Sequence, residues 1–157
     1  MTLQNPPIAK TEMLIRKPVS KVFTAFVDPA VTTRFWFTKS SGRLESGKEI
    51  RWDWEMYGVS ASIIVKTVDP NERIVIEWGD PPREVEWVFT PRGDDTTLVS
   101  ISERGFSGSD DEVVAQAIDS MGGFTMVLAG LKALLEHDVM LNLVADRHPD
   151  AHKKAGA

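Results

Sequence analysis

From Gly42 to Glu103 the chain alternates apolar and polar residues with period two, and turn residues cut the alternation into similar lengths. Such a pattern folds into antiparallel strands with one apolar and one wetted face, because successive side chains on a strand point to opposite sides. Ile50, Trp52, Trp54 and Met56 share one face, with Arg51, Asp53 and Glu55 on the other. Val59, Ala61, Ile63 and Val65 repeat the alternation. So do Ile74, Ile76 and Trp78, then Val85, Trp87 and Phe89, then Thr97, Val99 and Ile101. Asp69-Pro70-Asn71-Glu72, Asp80-Pro81-Pro82 and Arg92-Gly93-Asp94-Asp95 supply the residues that turns require. A tight turn at 69–72 sets Val65 opposite Ile76. A turn of ordinary length at 91–95 sets Trp87 opposite Val99, Val85 opposite Ile101 and Arg83 near Glu103. All apolar sets then fall on one side, which a one-residue slip would reverse. The spacing predicts a meander of about five strands with one continuous apolar wall.

That wall needs a partner. After Gly105-Phe106-Ser107-Gly108, Ser109 and Glu112 form a capping-box signature. Ala117, Met121, Phe124, Leu128, Leu131 and Leu135 then recur at steps of three and four, which predicts a helix from Asp110 to about Val144. Gly122-Gly123 interrupts it at a cost of ~1 kcal/mol per glycine, which points either to a break or kink that widens the pocket or to close packing against the sheet. Upstream, residues 8–16 read as a strand, and Pro18 opens a helix carrying Val19, Val22, Phe23 and Phe26. Asp28-Pro29 caps a second short helix with Phe35, Trp36 and Phe37 near its end. One apolar sheet face and one apolar helical stripe must bury each other. The expected class is α+β: a curved antiparallel sheet wrapped around a long C-terminal helix. The 157 residues read as one domain, with a core at 8–144 and a polar tail at 145–157.

Charge narrows the partners. The formal charge is −5, and the 23 acidic and 18 basic side chains are interspersed, so no basic stripe offers itself to nucleic acid. There is no cysteine, which removes disulfides and thiolate chemistry and is compatible with a cytoplasmic location. No basic-then-apolar leader opens the chain, and no uninterrupted apolar run approaches the ~20 residues of a membrane span. Five tryptophans and seven phenylalanines against one tyrosine point instead to a large aromatic interior.

On the predicted concave wall stand Trp52, Trp54, Ile63, Trp78 and Trp87, facing Met121, Phe124, Leu128 and Leu131 of the helix. These side chains either fill the core or line a cavity of a few hundred Å³ for a small apolar or amphipathic ligand. Trp36 and Phe37 are placed near its mouth. Glu103 shares the inward face with Val99 and Ile101. It pairs with Arg83, reaches solvent at the strand end, anchors a ligand's polar group, or acts as a general acid or base. With no carboxylate or histidine companion on its face, it is a weak catalytic candidate, and no other is visible. His148 and His152 have the spacing of metal ligands, but Pro149 and their terminal position argue against a rigid site, so no metal is expected. Gly105-Phe106-Ser107-Gly108 lacks the lysine and spacing of a phosphate loop, and Ser107 and Ser109 have no histidine to form a triad. No cofactor is implied.

Several stretches carry a resemblance, in order, over residues 8–144. They are Pro18-Val19-Ser20-Lys21-Val22-Phe23, Asp28-Pro29-Ala30 to Phe35-Trp36, and Gly42 and Gly47 before Trp52-Asp53-Trp54. They continue through Val68-Asp69-Pro70-Asn71 before Ile76-Glu77-Trp78, Thr97 to Gly105-Phe106, and Leu131 to His137. The chain resembles the START-like superfamily (SRPBCC), within it the AHSA-type group named after the activator of a heat-shock-protein ATPase. The resemblance implies a helix-grip fold like that of START domains and the birch-pollen allergen. It brings no shared catalytic residues, and Gly123-Phe124 stands where relatives often have glycine and tryptophan. Members include ligand carriers, cyclase- or dehydratase-like enzymes and co-chaperone domains. With nothing before the first strand to serve as a chaperone-binding domain, ligand binding is the first expectation. A cyclase- or dehydratase-like enzyme is the second. The third is an interaction or co-chaperone-like module, homodimeric in one form, with Phe35, Trp36 and Phe37 partly exposed.

Overall fold

The protein is described here by a computed structural model covering residues 3–151. Strand β1 (Ala9–Ile15) is followed by helices α1 (Val19–Val27) and α2 (Pro29–Thr32). Strands β2 (Lys39–Ser40), β3 (Glu49–Trp54), β4 (Val59–Asp69), β5 (Arg73–Trp78), β6 (Arg83–Pro91) and β7 (Thr97–Arg104) come next, then helices α3 (Asp110–His137) and α4 (Leu143–Arg147). All seven strands join one antiparallel sheet in the order β1-β7-β6-β5-β4-β3-β2. The helix-grip α+β class is the one expected.

Local chemistry sets the boundaries. Pro18 sits at the N-cap of α1 with φ −59°, and the Asp28 side chain accepts from the Ala30 N–H at the start of α2. At α3 the capping box closes in both directions between Ser109 and Glu112. Val65 lies opposite Ile76, as the turn at 69–72 requires, and a bulge between Val65 and Thr67 follows.

Three details depart from the sequence reading. Trp87 faces Ile101, and Val85 faces Glu103, two residues from the expected pairing. The turn is longer than assumed, and because the shift is even it keeps Val85, Trp87, Phe89, Val99 and Ile101 inside. Met56 leaves the strand: β3 stops at Trp54 and Glu55–Tyr57 form a 3-10 turn closed by Gly58 with φ 61°. Helix α3 runs unbroken through Gly122-Gly123 but ends at His137, where Asp138 takes a left-handed conformation and its N–H bonds to Leu134. Asn142, also left-handed, starts α4, which returns over the first half of α3. The tail expected to be loose is, up to residue 151, part of the fold.

By length and composition alone α3 could cross a membrane, a test that core helices also pass. Its Phe124, Val127, Leu128, Leu131 and Leu134 are buried against Phe26, Ile63, Ile76, Trp87 and Ile101 of the common core. Polar ties hold α3 to β1. Thr11 and Thr125 share a hydrogen bond of 2.7 Å, and Lys132 donates to the Leu14 carbonyl at 2.8 Å and to Glu136 at 2.7 Å. Glu136 also accepts from the Arg16 N–H at 2.8 Å.

Candidate functional site

All five indoles turn inward and meet around one of them. Trp36, only 6% exposed, has ring centroids of Trp52, Trp54, Trp78, Trp87 and Phe124 at 4.8, 6.2, 6.2, 6.0 and 5.8 Å. Edge-on and tilted packing of this kind suits the ring quadrupoles. Phe37 stacks on Trp52 at 4.5 Å, and Phe35 packs on Phe26 at 5.4 Å. The triplet expected to be partly exposed for an interaction is therefore buried: Phe35, Trp36 and Phe37, just after short helix α2, are tucked under the sheet.

Packing is solid on one side of Trp36 and open on the other. A recess of about 440 Å³ lies between Trp36, Trp78, Phe124 and Val127, with Glu103, Arg83 and Ser120 at its polar wall. Tyr57, Val144, Arg147 and His148 close its outer side. A second, shallower recess of about 460 Å³ shares Tyr57, Trp78, Arg83, Val144 and His148 with it, so Arg83 and the α4 segment form the partition.

Glu103 is 3% exposed and fully engaged. Its Oε2 accepts from Trp78 Nε1 at 2.6 Å and Arg83 Nε at 2.8 Å, and its Oε1 accepts from the Ser120 hydroxyl at 2.6 Å. Three donors occupy both oxygens of the carboxylate and hold it against the wall, so neither oxygen is free to turn to another partner. The pairing with Arg83 is present, although the registers differ, because the arginine side chain reaches across from the end of β6. Gly79, with φ 82°, makes room: a β-carbon there would lie 2.5 Å from Arg83 Nη1.

The expected site residues separate into groups. Trp78, Phe124 and Glu103 line the recess. Trp54 borders the second recess. Trp52, Ile63, Trp87, Leu128 and Leu131 lie outside both recesses, in the packed core. Met121 is 45% exposed on the outer side of α3. The inward position between Ala117 and Phe124 goes to Ser120, because the helix steps by three and then four there, not by four and then three. Trp87 Nε1 is buried with no hydrogen-bond partner. His148 lines the recess, while His152 lies outside the described residues. Among the described residues no group of three or more metal-ligating side chains converges.

What the pattern missed is the outer wall. The Tyr57 hydroxyl donates to the Val144 carbonyl, and the Arg147 guanidinium lies against α3, where β-carbons on Gly122 and Gly123 would come within 2.5 and 3.0 Å of it. The glycine pair inside a helix, followed by an arginine after the helix stop, was the available signal.

A family model described as activator of Hsp90 ATPase homolog 1-like protein matches residues 16–136. The chain belongs to this family. A solved family-sized relative, protein SSP2350 from Staphylococcus saprophyticus, is 32% identical with a TM-score of 0.75, over 86% of this chain and 96% of that one. The Aha1 dimer from Colwellia psychrerythraea shares the fold at 17% identity and a TM-score of 0.71, over 83% of this chain and 97% of that one. So does the di-domain ARO/CYC BexL of the BE-7585A biosynthetic pathway, at 17% identity and a TM-score of 0.68, over 83% of this chain and 46% of that one. No curated protein matches significantly.

Proposed function

We propose that this member of the Hsp90-activator-homologue family binds a small amphipathic molecule in the recess between the sheet, α3 and α4. The observation that carries the reading is the recess itself. Aromatic faces of Trp36, Trp78 and Phe124 meet a polar wall built on Glu103, in a volume of the size small-molecule sites occupy. A buried carboxylate with three donors is costly to assemble, and here it fixes Trp78 and Arg83 at the edge of that volume. The solid core beyond Trp36 gives the apolar wall a rigid backing, which lowers the ordering cost of binding.

An enzyme of the cyclase or dehydratase sort, with Glu103 moving a proton, would use the same recess. The saturation of Glu103 weighs against that role, since a general acid or base must reach its substrate's proton directly or through one water.

The test is a titration of ¹⁵N-labelled protein with naphthol, following the indole N–H signals. Binding in the recess moves the Trp36 and Trp78 signals saturably and leaves Trp52 least affected. Met126→Trp, which places an indole into the recess from α3, removes the shifts. Uniform, non-saturating changes across all five indoles would refute the assignment.

A further inference from the structure

We propose that the molecule bound in this recess carries a carboxylate, received by the terminal nitrogens of Arg83; the inference rests on the recess being a binding site and names the class of its ligand. The hydrogen-bonding inventory of the wall points there. Its buried acceptor is consumed: Glu103 already takes bonds from Trp78, Arg83 and Ser120. Gln116 spends its amide N–H on the Ser107 carbonyl at 2.8 Å. Donors, by contrast, are left over. Arg83 uses only Nε, and its Nη1 and Nη2 have no protein partner among the described residues although the side chain is only 30% exposed.

The guanidinium is also held in place. Glu103 fixes one edge, and the Gly79 backbone, bare of a β-carbon, lets the planar group lie close. A fork of N–H groups fixed on one side and open on the other matches a carboxylate better than a neutral amide or hydroxyl. On the outer wall Arg147 is loosely engaged, with bonds of 3.4 and 3.5 Å to the Asp119 carbonyl and a 3.5 Å approach to its carboxylate. It can turn toward an anion at small cost. An amine would find the Gln116 side-chain carbonyl, the Ser120 hydroxyl oxygen and the exposed Asp119 carboxylate, but no unpaired buried anion to match its charge.

Three probes of one skeleton decide the matter by calorimetry on the full chain: naphthylacetate, naphthylacetamide and naphthylethylamine. The acetate should bind about tenfold more tightly than the amide, the scale of one charge-assisted hydrogen bond. Arg83→Gln, which keeps a donor for Glu103, should bring acetate and amide to within about threefold of each other, and Arg83→Lys should restore part of the gap. Equal or tighter binding of amide or amine by the unaltered protein overturns the carboxylate and leaves the binding site standing. A preference that survives Arg83→Gln overturns the role of Arg83. If none of the three binds, the site reading falls and takes this inference with it. Should Arg83→Gln fail to fold, Arg147→Gln still reports on the cationic wall, with a weaker loss of acetate affinity expected and no loss counting against the proposal.

Discussion

The two halves of α3 meet the same sheet and do different things. From Leu128 to Leu134 the helix buries Leu128, Gly130, Leu131 and Leu134, none of which lines the recess, while Phe124 and Val127 just before them form its inner edge. From Asp110 to Gly123 it buries only Val113 and Ala117, exposes Ile118 at 62%, and overhangs the recess. The second half is anchor and the first half is wall. A helix fixed firmly at one end can afford to stand off at the other, and the space it leaves is where the polar group on Glu103 and Ser120 sits. Stability is therefore concentrated away from the candidate site.

The largest test of that contrast falls in the anchor. Leu131→Ala should cost about 2–5 kcal/mol, read as a lowered urea midpoint, because the packed side chains around a fully buried leucine can close only part of the void. Ile118→Ala, in the wall, should lie within about 0.5 kcal/mol of the parent protein. Similar losses at both positions would erase the distinction. A middle-sized effect belongs to Glu103→Gln. Its amide must point a donor at Trp78, Arg83 or Ser120, and the loss of charge weakens the rest, for about 1–3 kcal/mol in the same measurement.

The smallest test concerns the tie between anchor and β1. Burial of Glu136 pushes its carboxyl up, but the Lys132 hydrogen bond and the Arg16 N–H outweigh that and hold it below its ordinary value of 4.5. A carboxyl lowered in the folded state stabilises fully above the unfolded value and loses that contribution as pH falls through the folded one. Glu136→Gln should thus lower stability at neutral pH by on the order of 1 kcal/mol and flatten its decline in acid. A parallel decline in both proteins would show that the acid sensitivity lies elsewhere.

The anchor was far more legible in the sequence than the wall. Period-two strands, paired turns and a three-four helical stripe are local patterns, and an apolar face has only one sensible partner. The even shift between β6 and β7 did no harm for that reason: Trp87 stays inside whether it meets Val99 or Ile101. The wall depends on single events without period. Asp138 and Asn142 take left-handed conformations, which residues other than glycine adopt only sparingly, and so α4 returns where a continuous helix was expected. Ser120 replaces Met121 inside because a glycine pair and a serine carry no apolar signal to keep the stripe in step. Glu103 and Arg83 were legible as an inward pair, but not that Trp78 and Ser120 would complete the set. Trp36, the centre of the indole cluster, was placed at an edge because nothing in a short helix reports how deeply its last residues are tucked.

Because most of the outer boundary of the recess is one short helix resting on two residues without side chains, with Tyr57 beside it, its dimensions are set largely apart from the packed interior. Exchanging Val144, Arg147 or either glycine would resize or recharge the chamber while the sheet, its register and its aromatic centre stayed as they are. The chamber is thus the part of the molecule whose size and charge can change at least cost to the packed core.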